Sequence, residues 1–208
     1  MHALLIIDVQ NDFCPGGNLE VPNGDKVIAP INRISPLFDC VVQTQDWHPL
    51  NHNSFASNHK EKKPFDSITV EYGEQVLWPN HCVQESRGAD FHPDLEMNFT
   101  SMIIRKGFRP EIDSYSAFFE NDHKTNTGLK GYLDSLKIST VFITGLATDF
   151  CVKWTAIDAI KCGYKTYVIE DAVRGINIDN SVELAKKEMS EAGVEFINSS
   201  MLLSLLKS

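Results

Sequence analysis

Short apolar runs recur along the chain, and stretches with helical spacing separate several of them. Each run spans four to seven residues, and most are continuously apolar. Continuous apolar runs are typical of strands that are buried on both faces of a parallel sheet. We therefore predict strands over Ala3–Val9, Cys40–Thr44, Met102–Arg105, Val141–Thr144, Thr166–Ile169 and Val194–Ile197.

The polar and apolar spacing between these runs predicts helices. Gly163 and Gly193 stand where C-terminal caps of two such helices are expected. Strands that alternate with helices favour right-handed βαβ crossovers, so we predict an α/β three-layer sandwich with a parallel sheet between helices. The predicted helices are Lys26–Phe38, Thr127–Lys137, Asp149–Cys162 and Ser181–Ala192, with a short amphipathic helix at Met201–Leu206.

Composition narrows the class of protein. The 208 residues, 42% hydrophobic and 23% charged, fit one globular domain over 1–208. The apolar runs are far shorter than the ~20 residues of a membrane helix, so we expect no membrane partner. A net charge of −9, with no dense basic block beyond Lys60–Lys63, argues against a nucleic-acid partner. Five scattered cysteines without a CxxC pair indicate free thiols and a cytoplasmic enzyme. Met-His-Ala leads straight into an apolar run with no basic flank, so we expect no signal peptide.

One segment, 46–101, departs from the alternation. It contains no convincing long helix or buried strand, yet it holds five of the seven histidines and two of the three tryptophans. A stretch this long without regular structure is unusual in a compact domain unless it is functional. We therefore interpret 46–101 as a functional insertion.

Chemically useful side chains stand at the ends of four predicted strands. Asp8 closes the first run, Asp46 follows the second, Lys106 closes the third, and Gly145–Cys151 follow the fourth. In open α/β sheets the ligand crevice lies beyond the carboxyl ends of the strands. The sequence therefore predicts that a thiol, an amine and two carboxylates meet at one edge of the sheet.

Cys151 is the candidate nucleophile of this group. With Thr148 as the predicted N-cap, its thiol would lie in the first turn of a helix, where free amides and the helix dipole lower a thiol pKa. Asp8 is the candidate base, and Lys106 would supply a stabilising ammonium group. The alternatives are that Cys151 is a small buried hydrophobic residue and that Asp8 and Lys106 form a structural ion pair.

A second group has the chemistry of a metal site. Asp46 and His48 are two residues apart on an extended segment, and His81 would complete a set that suits Zn²⁺, Fe²⁺ or Mn²⁺. Ser54 is a further residue whose contact with the metal, direct or through water, the sequence does not settle. The alternative is that these histidines are solvated loop residues. We apply that interpretation to the remaining loop histidines, which are His52, His59, His92 and His123.

Three aromatic residues lie beside these groups in predicted loops. Phe13, Trp78 and Tyr115 could form the walls of a site for a flat ligand. The alternative is that they are loop aromatics anchored on the core.

Taken in order, these residues resemble the nicotinamidase/pyrazinamidase branch of the isochorismatase-like cysteine hydrolases. The resemblance covers almost the whole chain, and no chemical position departs from the pattern. It rests on Ile7-Asp8-Val9-Gln10-Asn11-Asp12-Phe13-Cys14-Pro15-Gly16-Gly17, Gln45-Asp46-Trp47-His48-Pro49, His52-Asn53-Ser54-Phe55-Ala56, Leu77-Trp78-Pro79-Asn80-His81-Cys82, Lys106-Gly107, Asp113-Ser114-Tyr115-Ser116-Ala117-Phe118 and Gly145-Leu146-Ala147-Thr148-Asp149-Phe150-Cys151-Val152.

The resemblance implies a six-stranded parallel sheet and a catalytic triad of Asp8, Lys106 and Cys151. It also implies a cis peptide between Leu146 and Ala147 that directs the Ala147 and Cys151 amides towards a substrate oxygen. The metal, most simply Zn²⁺, would be held by Asp46, His48 and His81 and would bind the pyridine nitrogen of nicotinamide. Phe13, Trp78 and Tyr115 would surround the ring. The implied reaction is hydrolysis of nicotinamide, and of pyrazinamide, to the acid and ammonia through a thioester, as in NAD salvage.

Three rival functions stay open at this point. A metal-free relative with the same triad would act on carbamoyl or ureido substrates. A catalytically silent binding module would keep the metal as a structural staple, and a vinyl-ether hydrolase acting on isochorismate would have no use for Cys151. The sequence fixes neither the native metal, nor the preference between nicotinamide and pyrazinamide, nor the oligomeric state, a homo-oligomer included.

Overall fold

A six-stranded parallel sheet forms the centre of the computed structural model, which describes residues 1–206. The sheet has the strand order β5-β2-β1-β6-β7-β8, and every neighbouring pair in it is parallel. Its strands are β1 (His2–Ile7), β2 (Cys40–Asp46), β5 (Met102–Lys106), β6 (Thr140–Leu146), β7 (Lys165–Arg174) and β8 (Glu195–Ile197).

Helices cover both faces of this sheet. Side chains of β1 alternate between two apolar cores, since Leu4 and Ile6 face one of them while Leu5 and Ile7 face the other. Helices α1 (Ile28–Ile34) and α5 (Leu202–Leu205) contribute to the first core. The second core is built on α2 (Leu129–Ser135), α3 (Lys153–Lys161) and α4 (Ser181–Glu191). The predicted three-layer α/β fold and all six predicted strands are therefore confirmed.

Several boundaries differ from the predictions. Strand β1 ends at Ile7 rather than Val9 because Asp8 has a left-handed backbone, with φ of 49°. The helix predicted over Lys26–Phe38 is α-helical only over Ile28–Ile34, with 3₁₀ turns on either side. The predicted C-terminal caps are correct, since Gly163 and Gly193 have φ of 93° and 98°.

The segment 47–101 joins β2 to β5 without a long helix, as its composition indicated. It contains a small antiparallel hairpin that the sequence did not predict, formed by β3 (Ser67–Val70) and β4 (Gly73–Val76). Two 3₁₀ turns, Ala56–Asn58 and Arg87–Ala89, complete its regular structure. Within residues 1–206, no helix is both long enough and apolar enough to span a bilayer.

Candidate active site

The carboxyl ends of neighbouring strands bring the predicted chemical groups together. Asp46 and Lys106 are direct partners in the register of β2 and β5, and Asp8 follows β1, which lies on the other side of β2. Cys151 follows β6, the next strand along. All four side chains are buried, so any charge on one of them acts strongly on the others.

Asp8 is held by a threonine and a lysine. The Asp8 backbone N–H donates to Thr44 Oγ1 at 3.1 Å, and the Thr44 hydroxyl donates to Asp8 Oδ1 at 2.5 Å. Asp8 Oδ2 lies 2.8 Å from Lys106 Nζ. Burial raises the pKa of Asp8 to about 6, against the opposing effect of Lys106. A carboxyl group with this pKa can accept a proton near neutral pH, as a general base must.

Lys106 lies at the centre of the cluster. Its ammonium group bonds a carboxylate oxygen of Asp46, donates to the Ser114 carbonyl at 3.0 Å and lies 3.5 Å from Cys151 Sγ. Burial lowers the pKa of Lys106, but Asp46 and Asp8 outweigh burial and hold this pKa well above its usual value. Lys106 is therefore a cation that neutralises part of the charge on two buried carboxylates. The bond to Asp46 was not predicted, although both residues were expected at the carboxyl ends of predicted strands.

Cys151 lies in a wide helical turn, Thr148–Val152, which has π-type geometry and precedes α3. The predicted N-cap is wrong, because Ala147 occupies that position and no side chain caps the turn. The peptide between Leu146 and Ala147 is cis, as the resemblance implied. Burial raises the pKa of the Cys151 thiol well above its usual value, although Lys106 opposes this shift. The expectation of a lowered thiol pKa is therefore wrong for this buried position.

Because the resting thiol is protonated, it needs a base. A carboxylate oxygen of Asp8 lies within 4.8 Å of Cys151 Sγ. Asp8 and Cys151 thus form a proton acceptor and donor whose separation is compatible with transfer directly or after a small movement.

Asp46, His48 and His81 form a buried cluster beside these groups. Asp46 Oδ2 lies 3.4 Å from His48 Nε2 and 3.7 Å from His81 Nε2. The Nδ1 atoms of His48 and His81 donate to the carbonyls of Gly107 and Pro79, at 2.8 and 2.9 Å. Since a carbonyl only accepts, each ring donates its Nδ1 proton to that carbonyl and directs Nε2 towards Asp46. Burial lowers the pKa of His48, but the Asp46 carboxylate outweighs burial and raises it, so a metal ion would displace a proton from His48 Nε2.

This donor set fits a divalent metal ion. One carboxylate and two imidazoles, each oriented by a backbone carbonyl on its far side, are typical ligands of a catalytic zinc or iron site. The buried charges agree, since Lys106 and His48 hold the pKa of Asp46 well below its usual value despite burial. The carboxylate is therefore ionised and ready to bind a cation.

Three residues that sequence reasoning did not assign hold the metal-ligand cluster in place. The Gln10 amide donates to the Asp46 carbonyl and accepts from the Asp46 N–H, each at 2.8 Å. Asp12 Oδ2 accepts from the backbone N–H of Cys82, the residue after His81, at 2.7 Å. Gly107 leaves room for the His48 ring, because a Cβ at this position would lie 2.3 Å from His48 Cε1. All three belong to quoted motifs, which is the signal that could have indicated them.

A pocket opens between the thiol and the metal-ligand cluster. Phe13 and Trp78 are at most 4% exposed and belong to the apolar core, so they are core residues that also line the pocket. Tyr115 is half-buried, and its hydroxyl accepts a hydrogen bond from Trp78 Nε1 at 3.1 Å. Residues that the sequence did not assign to the pocket are Leu19, Asp113, Phe150 and Ile176. The lining is Phe13, Leu19, Asp46, Trp78, His81, Asp113, Tyr115, Ala147, Phe150, Cys151 and Ile176.

One histidine was interpreted wrongly. His52 is fully buried rather than solvated, and its ring packs on His48 at a centroid distance of 4.4 Å. Its Nδ1 lies 2.7 Å from the hydroxyl of Ser54, which is also buried. Burial and the nearby His48 lower the pKa of His52 to about 4. His52 is therefore a neutral ring that supports His48 from behind.

Fold and site together define an enzyme of three-layer α/β architecture with a buried thiol at the carboxyl edge of a parallel sheet. The family model described as "Isochorismatase domain" matches residues 2–201. The chain therefore belongs to the isochorismatase family.

Within this family, the chain is similar to nicotinamidases. It is 55% identical over 201 residues to the nicotinamidase of Acinetobacter baylyi, and the aligned region covers 97% of this chain and 94% of the relative. A solved Acinetobacter baumannii nicotinamidase/pyrazinamidase superposes with a TM-score of 0.95, at 55% identity and 97% coverage of both chains. A pyrazinamidase of Pyrococcus horikoshii, solved in complex with zinc, has a TM-score of 0.77 at 35% identity, covering 95% and 98% of the two chains.

Proposed function

We propose that this protein is a metal-dependent nicotinamidase that hydrolyses nicotinamide, and also pyrazinamide, to the carboxylic acid and ammonia in NAD salvage. The observation that carries the proposal is that one aromatic-walled pocket is lined by both the Cys151 thiol and two members of the buried metal-ligand cluster. In nicotinamide, the ring nitrogen would face the metal-ligand cluster while the carboxamide faces the Cys151 thiol.

Asp46, His48 and His81 would coordinate the metal ion. All three lie in the segment that we assign as the metal-binding insertion, 46–101. When bound, the metal supplies a positive charge that attracts the lone pair of the pyridine nitrogen. Zn²⁺ is our choice because this donor set suits it, and the zinc complex of the similar Pyrococcus horikoshii protein supports this choice. Fe²⁺ and Mn²⁺ suit the same ligands.

The aromatic side chains orient the flat ring. Phe13, Trp78 and Tyr115 line the pocket together with Phe150, whose ring packs edge-on against Trp78 at 4.8 Å. A ring held between such walls has few orientations, so its carboxamide stays beside Cys151. Orientation of this kind supplies a large part of the rate of an enzyme.

Acylation begins with transfer of the thiol proton to Asp8. Lys106 stabilises both the carboxylate and the developing thiolate, since its ammonium group contacts Asp8 and lies beside Sγ. The sulfur attacks the carboxamide carbon to form an S–C bond, and the backbone amides of Ala147 and Cys151 stabilise the oxyanion. The C–N bond then breaks, and the nitrogen leaves as ammonia with the proton returned by Asp8.

In deacylation, water is the nucleophile and the Cys151 thiolate is the leaving group. Asp8, again a carboxylate, takes a proton from a water molecule that attacks the thioester carbon. The C–S bond breaks, nicotinic acid leaves, and the thiolate recovers a proton from Asp8. Each cycle converts one nicotinamide and one water into one nicotinic acid and one ammonia, which become nicotinate and ammonium when the acid proton passes to ammonia through solvent.

An ammonia-release assay on nicotinamide tests this function, with and without a chelator and with stoichiometric metal analysis. We expect release that stops on chelation and returns when Zn²⁺ is restored. Release that is insensitive to complete metal removal would contradict metal dependence and favour the metal-free type of amidohydrolase. No release from the fully loaded protein would contradict the nicotinamidase assignment.

The cysteines support the predicted cytoplasmic location. All five are free thiols in the structure, Cys162 half-buried and the others buried. Free thiols are typical of proteins in a reducing compartment.

A further inference from the structure

The carboxylate of Asp149 joins the turn that carries Cys151 to the segment after β7. Asp149 is 2% exposed and lies two residues before the thiol. Its Oδ1 accepts from the Ile176 N–H at 3.0 Å, and its Oδ2 accepts from the Asn177 N–H at 2.8 Å and the Ser181 hydroxyl at 2.6 Å. One buried charge therefore receives three hydrogen bonds from a single stretch of seven residues, 175–181, which we call the β7–α4 connection.

The β7–α4 connection supplies one wall of the pocket, because Ile176 is among the lining residues. This wall is supported differently from the others. Phe13, Trp78 and Ala147 are at most 4% exposed and lie within the core, whereas Ile176 is half-buried and is followed by four exposed residues, 177–180. Ile176 packs against the first apolar core only from its edge, so the hydrogen bonds from the Ile176 and Asn177 amides to Asp149 add to what holds this wall in place.

We propose that Asp149 is a positioning residue that sets the substrate specificity of the pocket. By holding the Ile176 and Asn177 amides against the turn of Cys151, it fixes how closely Ile176 approaches the bound ring. The position of Ile176 would then determine which ring substituents fit beside this wall. This inference rests on the proposed function, and it adds a specificity role for a residue outside the triad and the metal ligands.

The experiment compares two isosteric substitutions. Asp149→Asn keeps the size of the side chain but removes its charge and gives its N–H donors a poorer partner. Asp171→Asn is the matched control, because the Asp171 carboxylate accepts from the Ser199 N–H at 2.8 Å and the Ser199 hydroxyl at 2.5 Å. Neither Asp171 nor Ser199 is among the described residues that line the pocket. Ile176→Ala removes the wall itself and should reproduce the effect of Asp149→Asn.

The main readout is kcat and KM for nicotinamide and for nicotinamides methylated at ring positions 4, 5 or 6. We expect Asp149→Asn to raise KM for nicotinamide more than it lowers kcat. For at least one methylated substrate, kcat/KM relative to nicotinamide should rise about tenfold, as one methyl group in an apolar pocket allows. Ile176→Ala should give the same change, and Asp171→Asn should leave the ratio unchanged. An unchanged ratio in Asp149→Asn, or an equal change in Asp171→Asn, would overturn the proposal.

A second readout needs no turnover. Alkylation of Cys151 by the bulky N-ethylmaleimide, relative to the smaller iodoacetamide and followed by peptide mass spectrometry, should speed up in Asp149→Asn and not in Asp171→Asn. If the wild-type protein released no ammonia from nicotinamide, the proposed function would fail and this comparison alone would decide the positioning role. If Asp149→Asn did not fold, Ser181→Ala, which removes one of the three donors, should shift both readouts in the same direction. No shift in Ser181→Ala would then overturn the proposal.

Discussion

The thiol cluster consists of Asp8, Asp46, Lys106 and Cys151, and the metal-ligand cluster consists of Asp46, His48 and His81. The two clusters share Asp46, but their side chains are held in place in different ways. Asp46 and Lys106 end β2 and β5 and are partners in the strand register, and Asp8 directly follows the adjacent strand β1. His48 and His81 lie outside the sheet, in the segment that follows β2. They are held by individual bonds, such as that from the His48 N–H to the Cys82 carbonyl at 3.0 Å.

The two clusters should therefore differ in how far a single substitution changes their geometry. The backbone positions of the thiol cluster follow from a sheet ladder that many hydrogen bonds maintain, so a single substitution there should change the chemistry but not the geometry. The metal-ligand cluster depends on a few contacts, including Gly107 against the His48 ring. A small substitution at one such contact should therefore change the geometry itself. The following substitutions and measurements test this contrast.

The largest effect is expected for Cys151→Ala, which removes the nucleophile. Turnover of nicotinamide should fall by at least ~10³-fold, because no other group in the pocket can form the thioester. The thermal midpoint and the metal content should stay close to those of the wild type, since the sheet register and the histidines are unaffected. Substantial hydrolysis by this variant at saturating nicotinamide would show that Cys151 is not the nucleophile.

Gly107→Ala should have the next largest effect and act through the metal. Its Cβ would lie 2.3 Å from His48 Cε1, and Gly107 has a φ of 64°, so the ring must move. We expect a loss of metal affinity of about 10- to 100-fold, the usual cost of disturbing the support of a ligand. Metal content by mass spectrometry and kcat/KM should fall together.

Gly163→Ala is the control for Gly107→Ala. Gly163 also has a left-handed backbone, with φ of 93°, but nothing lies within 4 Å of a Cβ built there. The control should therefore lose about 1 kcal/mol of stability from backbone strain while keeping its metal. Equal loss of metal in both variants would mean that Gly107 has no particular role beside His48.

An effect of similar size is expected when the ring nitrogen is removed from the substrate. Benzamide has the carboxamide of nicotinamide but no ring nitrogen, so its kcat/KM should be lower by about 10²-fold if the metal orients the ring. His48→Ala should then reduce kcat/KM strongly for nicotinamide and much less for benzamide. The four values form a double-mutant-style cycle, with the nitrogen as one of the two perturbations. Equal fractional losses for the two amides would mean that the metal does not recognise the nitrogen.

The same contrast explains how much could be predicted from the sequence. The strands and the meeting of Asp8, Lys106 and Cys151 were predictable, because continuous apolar runs indicate buried parallel strands whose ends meet at one edge. The cluster of Asp46, His48 and His81 was predicted from residue types and resemblance, but its supports were not. Gln10 and Gly107 act through contacts with Asp46 and His48 that are distant in the chain.

The wrong predictions share a physical cause. Asp8 has a left-handed backbone conformation, and its N–H donates to the hydroxyl of Thr44, which is 36 residues away in the chain. His52 is buried because it packs on His48 and Phe55, and the thiol pKa of Cys151 is raised because the pocket walls exclude water. Each depends on tertiary packing, which overrides local propensity and is not encoded in a short stretch of sequence.

The smallest expected effect is a shift in pH dependence that reports Asp8. Its pKa of about 6 predicts that kcat/KM falls below pH 6, by about tenfold per pH unit, because protonated Asp8 cannot accept the thiol proton. The Thr44 hydroxyl bonds the carboxylate and so lowers the pKa of Asp8. Thr44→Val should therefore raise this pKa and move the acid limb to higher pH, while Thr44→Ser, which keeps the hydroxyl, should move it less. Metal content measured at each pH separates this limb from loss of the metal by protonation of the histidines. A limb that stays in place in Thr44→Val, with the metal retained, would show that Asp8 is not the base whose titration limits the reaction.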